Sequence, residues 1–320
     1  MKRRADMFEP PTISTWQTTL VSVILLLVVV APSPSSEVVI VMSADLPPYR
    51  QAQEALTTSL ASEHCQTVTL EQVIADNSTL AATFSAHASC IVAIGSAAAV
   101  WLHQRKNPIP PFVYCMVSDP LTAGLQKAPT TTGVSTDIPP DQQIQLITET
   151  LPQARIIGRF YRQADKQSCE AMESSRAFLP QGWKLESVAI DLQESPAAAI
   201  DLLLSRNIDV VWTTPDTAIW NEATVRSLLL TTLRRRVPVF GFSTSFVRAG
   251  ALLGVGLEPA TQGKQAATLV HDFLSKKIMT NAIIPPIFDL SLNLVVAQKL
   301  SLNLPPTVVQ RAKHIFQPGR

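Results

Sequence analysis

Charge is scarce in this chain. Only 16 % of its 320 residues are charged, and 26 basic side chains against 25 acidic ones leave a formal net charge of +1. Binding nucleic acid takes a basic face that neutralises phosphates, and no long basic tract follows the N-terminus, so that partner class is excluded. Metal chemistry is as thinly provided. The four cysteines, Cys65, Cys90, Cys115 and Cys169, form no CxxC pair and have no histidine at zinc-binding spacing. There is no G-x-S-x-G, and "GVGLEPATQGK" (254–264) is followed by Gln265, which excludes an NTP-binding loop. The lone glycine of "CIVAIGSAAAV" (90–100) is too little for a dinucleotide fingerprint. The five histidines, at 64, 87, 103, 271 and 314, all lie in or beside expected helices, so a Ser-His-Asp triad has no base at a strand end. No catalytic residue, metal or cofactor is expected.

Apolar residues, by contrast, are abundant at 46 %, enough for a large core and against disorder. Lys2, Arg3 and Arg4 precede an apolar run from Leu20 to Ala31 and then "PSPSS" to Ser36. That is the layout of an export signal over residues 1–36. Its core falls short of the roughly 20 residues that span a bilayer, so cleavage is expected, with a retained N-terminal anchor as the alternative. Export permits a disulfide, although Cys90 and Cys115 sit in strand-like runs and read as buried small hydrophobes.

Beyond residue 36 short apolar runs alternate with helical periods. Strands are expected at "EVVIVMS" (37–43), "QTVTLEQ" (66–72), "CIVAIG" (90–95), "PPFVYCMVSDP" (110–120) and "TTGVST" (131–136). Helices are expected over 47–63, 78–87 and 96–105, the last with Ser96 as its cap. A second series opens with a helix over 139–152 and continues through strands "ARIIGRFY" (154–161), "KLESVAI" (184–190), "IDVVWTT" (208–214) and "VPVFGFS" (237–243), with helices between. Near-continuous apolar strands separated by helices mean parallel sheets covered on both faces. The expected fold is therefore α/β, two Rossmann-like lobes with parallel sheets joined by a multi-strand hinge. Lobe 1 covers 37–134 with part of 250–282, and lobe 2 covers 135–249 with 283–316, including a last helix over 305–316.

Ligands of open parallel sheets collect at the C-terminal ends of the strands. Those ends supply Ala44 and Asp45, Ser96 and Ala97, Asp119, Tyr161, Thr214 and Asp216, and Ser243 and Thr244. Hydroxyls and carboxylates of this kind can surround a small polar or zwitterionic solute, with Asp216 the candidate for a cationic group. Asp119 and Asp216 read equally as turn or capping residues beside Pro120 and Pro215. Aromatics are rare at 6 %, yet Tyr161, Trp212, Trp220 and Phe242 lie near strand ends, as core or as a flat wall for a ligand.

Four stretches agree in order with one family: "FVYCMVSDPLTAGL" (112–125), "TTGVSTDIPPDQQIQLITETLPQARIIGRFY" (131–161), the 235–274 segment and "FDLSLNLVVAQKLSLNLPPTVVQRAKHIF" (288–316). Over residues 38–316 the chain resembles the ABC-transporter substrate-binding proteins that include tryptophan and tyrosine binders. The resemblance implies a type I periplasmic-binding-like fold that closes over a solute, with contacts at Ala44, Asp45, Ser96, Ala97, Asp119, Tyr161, Asp216, Ser243 and Thr244. This chain departs from the pattern where "YRQADKQS" (161–168) lacks an Asn-Pro turn, and where Ser301 stands in place of a turn glycine. The implied function is capture of a small polar solute, an amino acid being one class, outside the cytoplasmic membrane, and its presentation by a monomer to a membrane permease. The alternatives are a ligand-sensing module for a membrane signalling partner and an exported α/β hydrolase.

Overall fold

The computed structural model describes residues 37–76, 88–105, 110–127, 130–276, 279 and 281–317. The export signal over 1–36 and the helix expected over 78–87 lie outside these residues. Among the described residues no helix is long and apolar enough to cross a membrane.

The first series comprises β1 (Glu37–Met42), α1 (Pro47–Ser59), β2 (His64–Thr69), α2 (Leu70–Ala75), β3 (Ala88–Ile94), α3 (Ser96–His103), β4 (Phe112–Val117) and β5 (Thr131–Ser135). The second comprises α4 (Pro140–Thr150), β6 (Ile156–Tyr161), α5 (Lys166–Ser174), β7 (Lys184–Ala189), α6 (Pro196–Leu204), β8 (Val210–Trp212), α7 (Glu222–Arg234), β9 (Val239–Gly241), α8 (Thr244–Ala249) and β10 (Leu253–Gly256). The tail adds α9 (Pro259–Lys276), β11 (Ile283–Ile284), β12 (Asp289–Asn293), α10 (Leu294–Lys299), α11 (Pro306–Arg311) and β13 (His314–Phe316).

Two sheets result, in the orders β11-β5-β4-β3-β1-β2 and β13-β12-β10-β9-β8-β6-β7. Every pairing in the first is parallel. The second departs from the expected all-parallel arrangement at one place, where β12 runs antiparallel to β10. Alternation along β1 shows why its run is apolar throughout. Val38, Ile40 and Met42 pack with Ala52 and Leu56 of α1 and Val270 of α9, while Val39 and Val41 pack with Val73, Ala98 and Leu102 on the other face. The second sheet is sandwiched likewise, Ile144 and Ile147 of α4 covering one face, Leu203 of α6 and Leu228 of α7 the other.

The chain crosses between the sheets three times, over 136–139 after β5, over 257–258 after β10 and over 285–288 after β11. β10 stays with the second sheet, α9 returns to pack on the first, and β11 adds the edge strand of the first before β12 rejoins the second. At Gly263 α9 meets α1 so closely that an added Cβ would stand 2.0 Å from the Ala52 carbonyl oxygen. Only glycine lets these two backbones touch.

Two local expectations are corrected. Ser96 is the first helical residue of α3, not its cap; the preceding position is Gly95, with φ +95°. The first turn is instead capped from the β1 end, where Ser43 Oγ accepts the Ala98 N–H at 2.9 Å. Residues 305–316 are not one helix. α11 stops at Arg311, Ala312 is extended, and β13 pairs parallel with β12, which covers an otherwise open sheet edge. The segment around Phe246 forms the short helix α8, capped by Ser243 and ended by Gly250 at φ +135°. All four cysteines are free thiols. Burial pushes the Cys90 and Cys115 thiols up to about 12, so neither is a reactive thiolate at neutral pH.

Ser301 occupies the position just beyond the C-cap of α10 with φ +56°, and the Leu302 N–H closes back on the Ala297 carbonyl at 2.9 Å. A left-handed residue there costs a side chain about 1–2 kcal/mol that glycine does not pay. Ser301→Gly is expected to raise stability by about 1 kcal/mol after the extra unfolded-state freedom is deducted. Thermal unfolding reads this directly, and a lowered midpoint would show that Ser301 earns its place through contacts instead.

Candidate functional site

The C-terminal ends of strands from both sheets face a cleft of about 690 Å³, within the size of sites that enclose small ligands. From the first sheet's side come Ser118 and Asp119 after β4 and the crossing residues Thr136 and Asp137. The second contributes Arg159 and Phe160 of β6, Arg162 beyond it, Trp212 of β8, Thr214 to Thr217, and Phe242 after β9. No histidine or cysteine is among the described residues lining it.

Of the residues expected from sequence, Asp119, Thr214 and Asp216 line this cleft. The other seven do not. Asp45 is exposed and paired with Arg50 at 2.6 Å. Ser96 Oγ accepts the Ser118 N–H at 3.3 Å, Ala44 is half-buried and Ala97 is exposed. The Tyr161 hydroxyl donates to Gln163 at 3.1 Å. Ser243 accepts the Phe246 N–H at 3.1 Å, and Thr244 contacts the Ser291 hydroxyl at 3.0 Å.

Asp119 sits at φ +47°, its N–H donating to Asp137 Oδ2 at 2.7 Å and its own carboxylate accepting the Thr122 N–H at 3.2 Å. The same carboxylate accepts Gln167 Nε2 from the first turn of α5, so a hydrogen bond already joins the two lobes across the cleft. Asp216, expected to meet a cation, does meet one from its own lobe. Arg162 Nε donates to it at 2.8 Å and also reaches Asp165, the cap of α5. The hydrogen bond with Asp216 holds the Arg162 guanidinium further above its ordinary value. Asp191 fixes this turn by accepting the Gln163 and Ala164 N–H groups, both at 2.8 Å.

Arg159 went unrecognised in the sequence. It lies inside "ARIIGRFY" (154–161), where a charged side chain interrupts an apolar strand, and that interruption was the available signal. Its neighbour in space is the face of Trp212, 4.6 Å from the guanidinium carbon to the ring centroid. Trp212 Nε1 donates to Gln143 Oε1 at 2.9 Å, and Gln143 Nε2 donates to the Ile138 carbonyl at 2.7 Å. Gln143 thereby ties the first crossing to the second sheet. Around the rim Trp220 packs edge-on to Phe160 at 6.0 Å and tilted to Phe242 at 6.4 Å. Its Nε1 donates to the Thr214 carbonyl at 2.8 Å.

Away from the cleft, Glu258, Asp289 and His314 bring three potential ligand atoms within 4.8 Å of one another beside the second crossing. Lys313 Nζ, 2.8 Å from Asp289, already supplies that group with a cation.

The sequence profile of ABC transporter substrate binding proteins matches residues 54–316. The chain belongs to that family. As a substrate-binding protein it shares its fold with a conserved domain protein from Vibrio cholerae, at 23 % identity and TM-score 0.56 over 88 % of this chain and 99 % of that one. A Streptococcus pneumoniae ABC domain in complex with L-Trp aligns at 18 % identity and TM-score 0.57, covering 88 % of this chain and all (100 %) of that one. A substrate-binding protein with adhesive properties from Clostridium difficile, in its ligand-free, open structure, aligns at 17 % identity and TM-score 0.71 over the same 88 % and 100 %. No curated protein matches. These identities carry the fold alone, which is the type I periplasmic-binding-protein-like arrangement of two α/β lobes.

Within this substrate-binding protein the Gln143 bridge is open to test. Gln143→Leu leaves the buried Trp212 N–H and the Ile138 carbonyl without partners, each loss costing about 1–3 kcal/mol. Urea unfolding followed by tryptophan fluorescence should show a midpoint lowered accordingly, and an unchanged midpoint would mean water replaces the glutamine at no cost.

Proposed function

We propose that this substrate-binding protein works outside the cytoplasmic membrane as a monomer, capturing a small polar solute, with amino acids as the first class, and presenting it to a membrane permease. The observation that carries this reading is the cleft itself, walled by strand ends of two sheets that three chain crossings connect. Crossings of two to four residues can absorb a rotation of one lobe on the other while each sheet stays intact. A solute touching both walls favours the closed arrangement, and the permease then reads closure rather than the solute.

The chemistry of the lining supports binding without turnover. Asp119, Thr214 and Asp216 are the members of the expected contact set that line the cleft, while Ala44, Asp45, Ser96, Ala97, Tyr161, Ser243 and Thr244 follow or end strands outside its lining. The lining offers carboxylates, amides, hydroxyls and guanidinium groups but no histidine or cysteine base or nucleophile among the described residues. An amino acid suits such a wall because its polar groups find partners as water leaves. The L-Trp in the S. pneumoniae relative's structure points the same way.

A thermal-shift screen of the purified protein against the twenty L-amino acids tests the class. A solute at about 100 times its Kd stabilises the folded state by about 2.7 kcal/mol. The hit should also compact the protein in small-angle scattering, as lobe closure requires. A hit that leaves the scattering curve unchanged would remove the closure mechanism, and silence from all twenty would remove amino acids as the solute class.

A further inference from the structure

Arg159 is only 6 % exposed, yet among the described residues no carboxylate pairs with it. Its Nη1 donates to the Ala171 carbonyl at 3.0 Å and to Ser175 Oγ at 2.5 Å, both neutral acceptors. Its Nη2 has one contact, to Thr214 Oγ1 at 3.5 Å, the limit of a hydrogen bond. Its Nε has no hydrogen-bond partner among the described residues. Nε and Nη2 form one edge of the planar guanidinium, the edge that takes a carboxylate through two parallel bonds. Here that edge is the unsatisfied one.

Burying a charge without a counter-charge is among the most expensive arrangements in a protein. Trp212 offers a π face, worth far less than an anion. Burial accordingly pulls the Arg159 guanidinium down to about 10. The other cation of the cleft shows the contrast, since Arg162 has both Asp165 and Asp216. Arg159 lines the cleft together with Thr214, Trp212, Phe160 and Phe242.

We infer that the solute carries a carboxylate on an apolar body, and that Arg159 is the residue that selects it. The inference rests on the solute-capture reading and narrows it. Charge chooses a monoanion over a dianion, because Asp119, Asp137, Asp165 and Asp216 line the same cleft and would repel a second negative charge. Phosphate and sulfate are therefore disfavoured, and uncharged sugars, whose hydroxyls can accept from Nε and Nη2, bring no counter-charge to the buried guanidinium. Docking replaces the marginal Thr214 contact on Nη2, and Phe242, partly exposed where Phe160 and Trp212 are buried, offers its ring to the apolar part. Amino acids and simple organic acids share this chemistry, and the amine decides between them.

The test is calorimetric titration of the full-length protein with matched solutes. The panel holds the twenty L-amino acids, the amides of those that bind, phenylacetate and other monocarboxylates, ribose, and inorganic phosphate. The wild type is expected to prefer an acid to its own amide by a hundredfold or more. In Arg159→Met that preference should shrink to within about threefold, with thermal stability of the solute-free protein unchanged or raised, because an uncompensated buried charge has gone. Arg159→Lys, which keeps the charge without the planar edge, should fall between the two. Stronger binding of an amino acid than of its des-amino acid identifies a zwitterion, and equal binding identifies an organic acid; either supports the carboxylate. An amide bound as tightly as its acid by the wild type overturns the inference, and this measurement needs no variant to fold. A preference for the acid that survives in Arg159→Met overturns Arg159 as the selector and leaves it a structural staple between β6 and α5. Binding of ribose or phosphate in place of every carboxylate ends the inference while solute capture stands; no binding by any compound ends both.

Discussion

A parallel sheet has no face to spare for water, and both sheets here are covered on both sides, so their strands must be apolar through their length and their polar groups must be displaced to the ends. In β1 this is complete, with Val38 through Met42 all buried. The displaced polar residues collect in the loops that follow the strands, where helix N-termini leave N–H groups to satisfy. Asp165 and Asn221 cap helices in those loops, and Asp216 and Asp191 tie turns. A polar cleft is the consequence of an apolar sheet twice over, once for each lobe, and the crossings bring the two sets of loops to face each other.

The same rule explains which polar residues are unusual. A side chain such as Asp216 is at a strand end because it could not be anywhere else, and the turn uses it. Arg159 and Gln143 break the rule, one inside β6 and the other on the buried side of α4. Gln143 is compensated in full by Trp212 and Ile138. Arg159 is compensated in part. Gln143 has a partner on both its oxygen and its nitrogen and the Arg159 Nε has none among the described residues, a single ring apart, and that contrast is the ground of the proposed carboxylate.

Much of this was legible in the sequence because it depends on periodicity. The alternation of apolar runs and helical stretches gives the two lobes, and the tail from residue 250 onward carries the remaining crossings. The cleft was legible only as a set of strand ends, and sequence cannot say which ends face inward. Asp119 and Asp216 do, whereas Asp45 turns outward to Arg50 and Ser243 is spent on capping α8. The cap of α3 was misread because its donor and acceptor are Ala98 and Ser43, 55 residues apart. β13 was read as helix because "VVQRAKHIF" (308–316) has an ambiguous period, and the edge of β12 decided the matter. Arg159 was missed for a different reason, since attention to strand ends passes over a charge in a strand interior.

The position of Arg159 also bears on how binding becomes motion. A solute moves the hinge only by the difference between its affinities for the two arrangements. Arg159, Trp212 and Thr214 all belong to the second lobe, so contacts with them alone would hold the solute equally well whether the cleft is open or shut. Differential affinity has to come from the opposite wall, where Asp119, Asp137 and Ser118 are the first lobe's polar groups. Asp119 is already engaged across the gap by Gln167, which means the lobes touch through a bond that needs no solute. Its backbone N–H, in a left-handed conformation, donates to the Asp137 carboxylate on the first crossing, so the residue that spans the cleft is anchored to a segment that the proposed rotation would bend. On the proposed reading, selection by one lobe and closure by the other are separate tasks, carried by different residues and joined through the solute.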